Sequence, residues 1–170
     1  RACNGGLFAI AGRHGPAAKL LAGGRDDLAR QWYTQWREVF DERLFYEESL
    51  AAVRYGQKLA LSSGCPVRAQ VGAAGYALSY AAACGGLVDG SPVANPVGGG
   101  DYAQAAPAGV AIDPRLDIVF NSLGCLSASA ACPDGAAAQT AGIGGFTFRV
   151  HAATGFIESL SEKKERQSQK

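Results

Sequence analysis

The sequence predicts an α+β fold, a long N-terminal amphipathic helix packed on an antiparallel β-sheet. Three observations predict it. Residues 38–63 carry apolar and small side chains at helical spacing, almost free of glycine and proline. Beyond Gly64 the period drops to two, first in Val67-Arg68-Ala69-Gln70-Val71 and again in Phe146-Thr147-Phe148-Arg149-Val150. Helical and extended segments are segregated along the chain and do not alternate, which excludes a doubly wound parallel sheet.

In chain order, residues 1–37 read as an atypical N-terminal arm, punctuated by Gly5-Gly6, Gly15-Pro16 and Gly23-Gly24. From Asp26 the pattern becomes helical, with Leu28, Trp32, Tyr33 and Trp36 recurring at three and four, and with Asp26 and Asp27 suited to the positive end of the helix dipole. In the main helix, Phe45, Ser49, Ala52, Val53, Gly56, Leu59, Ala60 and Ser63 are expected on one face, small enough for a sheet to approach closely. Acidic residues sit early and basic ones late, and Gly64 is the expected stop.

Val67–Val71 and Tyr76–Tyr80 read as a hairpin turning through Gly72–Gly75. Residues 82–109 are rich in Gly, Ala, Pro and Asn and read as a long ordered loop. Val110–Ile112 and Leu116–Phe120 are expected strands on either side of Asp113-Pro114, and residues 121–142 a second loop. Phe146–Val150 and Phe156–Glu158 close the sheet around a turn at Ala153-Thr154-Gly155. The globular domain is thus expected over 38–160, with 161–170 a charged, solvated tail.

Composition bounds the function. Hydrophobic residues make up 48% and charged residues 18%, enough apolar matter for a core and too little charge for a disordered chain. A formal net charge of +1 points to neither a nucleic-acid nor an acidic partner. The absence of methionine suggests a processed or truncated piece of a longer protein. No run of about 18 apolar residues occurs, and no signal peptide is visible. Of five cysteines, Cys65, Cys84, Cys125 and Cys132 lie in the domain and Cys3 in the arm; none forms a C-x-x-C pair, which argues against zinc. An even set within a loop-rich domain predicts two disulfides and an oxidising compartment.

No catalytic constellation emerges. His14 lies in the arm, His151 reads as an exposed strand residue, and no G-x-S-x-G elbow is present. Asp41, Glu42, Glu47 and Glu48 read as a solvated acidic face, and Asp113 and Asp117 as turn residues. Gly98-Gly99-Gly100 and Gly142-Ile143-Gly144-Gly145 lack the strand-to-helix setting and the Gly-Lys-Ser/Thr ending of a phosphate loop. The chain is expected to be no enzyme, with no cofactor and no metal.

Residues 39–84 carry a resemblance. Phe40-Asp41-Glu42-Arg43-Leu44-Phe45-Tyr46-Glu47-Glu48 runs into Leu50–Leu61, then Ser62-Ser63-Gly64-Cys65-Pro66-Val67 and Gly75-Tyr76-Ala77-Leu78. With Cys84-Gly85, Pro92–Pro96, Ala106–Val110 and the closing Phe148-Arg149-Val150 and Thr154-Gly155-Phe156-Ile157, this resembles a minor pilin or pseudopilin of the GspH/FimT-like group. It is most similar to the minor pilins of mannose-sensitive haemagglutinin (MSHA) pilus assembly, over residues 38–159. The resemblance implies a type IV pilin-like head and a structural role in a type IV pilus or type II secretion-like filament. It implies other pilin subunits as partners. It also implies a parent protein anchored in the bacterial inner membrane, cut by prepilin peptidase and acting outside the cytoplasm. It implies a Cys65–Cys84 disulfide tying the helix end to the loop after the hairpin, and Cys125–Cys132 closing the smaller loop. The family's Gly-Phe-Thr-Leu-Ile-Glu-like cleavage site and apolar stalk have no counterpart in residues 1–37, which stand where that stalk is missing or replaced.

Two alternatives accompany this reading. A DNA-binding filament-tip subunit would use Arg68 and Arg149 with Lys163, Lys164 and Arg166 of the tail. A secreted adhesin or carbohydrate-binding module would use the 82–109 loop, with Tyr80 and Tyr102 as stacking residues.

Overall fold

The computed structural model describes residues 26–160. It has an α+β fold in which one helix packs on antiparallel sheets. Helix α1 (Asp26–Ser63) is followed by β1 (Val67–Gly72), β2 (Gly75–Tyr80), β3 (Ala103–Gln104), β4 (Leu116–Phe120), β5 (Ala138–Ile143), β6 (Phe146–His151) and β7 (Ile157–Ser159). The strands form two sheets, not the single one expected: a four-stranded sheet in the order β3-β2-β1-β4 and a three-stranded sheet in the order β5-β6-β7. Every pairing is antiparallel.

The chain divides into two units, Arg1–Asp41 and Glu42–Lys170, so the division falls inside α1. In the first, Tyr33, Trp36, Val39 and Phe40 are all at least 43% exposed. Their rings are ordered among themselves, Tyr33 stacking on Trp36 at 6.2 Å and Trp36 on Phe40 at 5.6 Å. This is the three-and-four spacing of the sequence made visible, facing outward.

In the second unit α1 buries Phe45, Tyr46, Ser49, Leu50, Ala52, Val53, Gly56 and Ala60. The arc is wider than the single stripe expected, because neighbouring residues serve different sheets. The Phe45 ring meets Tyr76 of β2 at 5.7 Å. Tyr46, about 100° further round the helix, meets Phe146 and Phe148 of β6 at 5.3 and 6.0 Å. The Tyr46 hydroxyl is then placed to donate to the Thr147 carbonyl at 3.2 Å and lies 2.7 Å from Ser159 Oγ, which satisfies the polar end of a buried ring. Leu59 is only half-buried, packed against the rim of the core, and Ser63 is exposed. The last turn of the helix carries no basic residue. It ends on Gly64, whose N–H donates to the Ala60 carbonyl at 3.0 Å and whose φ of 71° turns the following chain out of the helix.

The hairpin β1–β2 stands in the expected place, with Gly72 paired to Gly75 around Ala73-Ala74. Val67, Ala69 and Val71 point into the core while Arg68 and Gln70 point out. Strand β4 lies on the other side of β1, with Val67 opposite Phe120 and Val71 opposite Leu116.

Three expectations about individual segments are corrected. Val110–Ile112 forms no strand; only Ile112 makes an isolated bridge, to Ile143, ahead of a cis Asp113–Pro114 bond. The segment expected to be loop through 142 instead supplies β5, whose six residues pair in full with β6. Its small side chains are what the site demands. A Cβ on Gly142 would collide with the Asp113 carbonyl, because Gly142 N–H donates to Pro114 O at 2.9 Å and Asp113 N–H to Gly142 O at 3.0 Å. The loop expected over 82–109 likewise contains the short edge strand β3.

One core contains Phe45, Phe120, Phe148, Leu116, Ile143, Val53 and Val67, all 2% exposed or less. Gly56 sets how closely α1 approaches it: a Cβ there would lie 3.2 Å from Leu78 Cδ2 and 3.5 Å from Val67 Cγ1. Gly56→Leu is therefore expected to overpack the junction and lower stability by about 2–3 kcal/mol in urea unfolding. Gly56→Ala is expected to stay within about 1 kcal/mol of the parent, because gained helix propensity offsets the displaced Leu78 tip.

Candidate functional site

Two disulfides frame the loops that carry the exposed chemistry. Cys65 is joined to Cys84, a separation of 19 residues, and Cys125 to Cys132, a separation of 7. The first ties the exit of α1 to the start of the 82–101 loop. That loop doubles back on the sheet: Val93 N–H donates to Leu78 O, and Tyr102 N–H to Val93 O. Val93 is buried, while Val88 and Val97 are 68% and 94% exposed.

The second loop is organised by a residue that sequence reading passed over. Asn121 is 2% exposed. Its Oδ1 accepts from the N–H groups of Leu123 and Cys125 at 3.0 and 3.3 Å, and its Nδ2 donates to the Ser129 and Ala131 carbonyls at 2.9 and 3.4 Å. The Cys125 sulfur lies 3.1 Å from Oδ1. A disulfide sulfur has no proton to donate, so this is a packing contact. Gln57 of α1 is the second such residue. Its Nε2 donates to the Gly124 and Gly155 carbonyls, both at 2.9 Å, and so pins the disulfide loop and the β6–β7 turn to the helix. An amide on the polar border of a helix stripe gives no hint of this in sequence.

The outer face of the four-stranded sheet holds the charged cluster. Arg68 Nε donates to Asp117 Oδ1 at 2.7 Å and its Nη2 to Oδ2 at 2.6 Å, a bidentate fork across β1 and β4. Gln70 Nε2 adds a third donor to Oδ2 at 3.2 Å. Asp117, expected as a turn residue, is thus the hub of the face. Arg68 beside it holds its carboxyl below the usual carboxylate range, aided by Gln70 and opposed by partial burial. The guanidinium is correspondingly pushed up by the same bond.

The structure does not assemble the residues singled out for DNA. The Arg68 charge is already matched by Asp117, Arg149 is half-buried on β6 in the other sheet, and Lys163, Lys164 and Arg166 lie outside the described residues. Nor are the tyrosines free platforms. Tyr102 stacks face to face on Tyr55 at 5.0 Å and lies 6.3 Å from Tyr76. Burial, together with Tyr55 and Glu48, raises its phenol above the ordinary value. Tyr76 is raised likewise, by burial first and then by Glu48 and Tyr102. Tyr80 is half-buried on the core side of β2. His151 on β6 is half-buried, 3.4 Å from Glu158 and beside Phe156. Among the described residues no group of three His, Cys, Asp or Glu side chains could hold a metal, and no helix is long and apolar enough to cross a membrane.

Beside the Arg68–Asp117 fork, the same face opens into a trough of about 620 Å³ over β2 and β3. Gln70 and Arg115 flank it on the β1–β4 side, and Ala77, Ala103 and the 72–75 turn line the rest.

Known proteins give little to set beside this geometry. No protein-family profile matches the chain, and no solved structure matches it. A 41-residue stretch, 24% of the chain, is 51% identical to part of the DNA polymerase III subunit alpha of Xylella fastidiosa, and covers 3% of that protein. So short a segment shows neither a family nor a fold for the chain.

Two outcomes follow. Replacing both Cys65 and Cys84 by alanine is expected to cost about 3 kcal/mol by loop-closure entropy, and replacing Cys125 and Cys132 somewhat less; urea midpoints measure both. Because the Asp117 carboxyl titrates lower in the folded than in the unfolded chain, its contribution is present above its ordinary value of 3.8 and lost as pH falls through the folded value. Both partners are nearly half exposed, at 46% and 49%, so Asp117→Asn should cost less than about 1 kcal/mol at pH 7. The two proteins should converge in acid, once pH has fallen below the folded value.

Proposed function

We propose that the chain supplies the pilin-like head of a minor pilin or pseudopilin. It is a structural subunit in the assembly of a type IV pilus or type II secretion-like filament, and not an enzyme. The observation that carries this reading is the seating of α1 on antiparallel sheets, with the Cys65–Cys84 bridge fastening the helix exit to the loop after the first hairpin. That is the arrangement the resemblance of residues 38–159 implies. Two disulfides fit a working place in the periplasm or at the cell surface. The outward-facing aromatics at Tyr33, Trp36 and Phe40 suit side-by-side contact with helices of other pilin subunits. The parent protein is, on this reading, anchored in the inner membrane and processed by prepilin peptidase.

Clean deletion of the gene in the bacterium that encodes it is expected to abolish or sharply reduce surface pili in electron micrographs, with recovery on complementation. Undiminished piliation in the deletion strain would overturn the reading. Non-reducing peptide mapping of protein from its native compartment is expected to show Cys65 and Cys84 peptides linked.

A further inference from the structure

We infer that the trough on the outer face of the four-stranded sheet is a binding site for an acidic, extended peptide segment. This inference stands apart from the filament reading. Register places Ala77 of β2 opposite Gln70 on one side and Ala103 on the other, so methyl groups floor the trough, with Gln104 at its β3 edge and Ser79 further along β2 opposite Arg68. Long side chains resume on the far side, where Gln70 and Arg115 border the trough. A floor of methyl groups admits a backbone at close range. A volume of about 620 Å³ suits a few residues of extended chain.

The electrostatics select the ligand. Both oxygens of Asp117 are engaged by Arg68 and Gln70, so the acid of this face is already neutralised. Arg115 makes no ion pair among the described residues. The stem of Arg115 lies across Gly72, 3.7 Å from where a Cβ would stand, which seats the guanidinium at the trough border. Asp89 adds a second acid to the face, but it acts on Arg68 and does not line the trough. The trough border therefore carries one cation without an ion pair, with the fork geometry that suits a carboxylate. Gln70 spends its amide N–H on Asp117, which leaves its carbonyl oxygen to accept from a peptide N–H. A cationic fork and an amide acceptor beside a methyl floor complement an Asp or Glu side chain on an extended backbone. A phosphate chain would call for more cations than the single one present.

The test is an NMR titration of the full chain with N-acetyl-Ala-Asp-Ala-amide. Amide shifts are expected at Ala77, Ala103 and Arg115, weakening with added salt. The Asn analogue, and acetate alone, should bind at least tenfold more weakly. Arg115→Gln should remove the response with spectral dispersion intact, Arg115→Lys should retain part of it, and Arg149→Gln on the other sheet should leave it unchanged. Equal shifts with the Asn peptide or with acetate, shifts elsewhere on the surface, or full binding by Arg115→Gln would each overturn the proposal.

Discussion

The architecture depends on one packing constraint: residues 42–63 of α1 lie against two sheets at once. Phe45 and Tyr46 are adjacent in sequence yet meet different sheets, and between them they fix the rotation of the helix about its axis. With that rotation set, Ala52, Gly56 and Ala60 come to face the core, and at Gly56 a side chain longer than a methyl would press on Leu78 and Val67. The small residues are thus a consequence of two-sided burial. Gln57, one step round from Gly56, then falls where its amide can reach both Gly124 and Gly155. The loops inherit their position from the helix.

How much of this was legible follows from the range of each interaction. The helix, its Gly64 stop and the β1–β2 and β6–β7 hairpins are local, and their periodicities are plain. The second sheet was not, because β5 is built of Ala138, Gln139, Thr140, Ala141, Gly142 and Ile143, a run with little β-propensity of its own. Its state comes from full pairing with β6 and from the close backbone of residues 113–114, neither visible locally. Val110–Ile112 fails for the reverse reason: good strand residues meet β5 only at its last residue, where Ile112 makes a single bridge to Ile143.

The site chemistry divides in the same way. The cysteine count pointed to disulfides before any coordinates, and the resemblance supplied the pairing now seen in the structure. Arg68 read as an outward cation, which it is, but its neutralisation by Asp117 spans 49 residues and two strands. Tyr102 read as an exposed ring in a loop, yet Tyr55 from α1 lies against it. A polar or aromatic residue announces its chemistry in sequence. Whether that chemistry is already spent depends on a partner that only the fold supplies.

The position of β4 bears on how the chain reaches this state. Strand β1 is central in its sheet, but its two neighbours arrive from very different distances. The link to β2 is a two-residue turn, whereas Val67 pairs with Phe120 across more than fifty residues. Closing that span costs chain entropy before any contact rewards it. Loop-closure entropy therefore favours the hairpin first, with one edge of β1 open until β4 arrives. Until then Val67, Ala69 and Val71 sit on an unpaired strand edge, the moment in the life of the chain when intermolecular pairing competes best with folding.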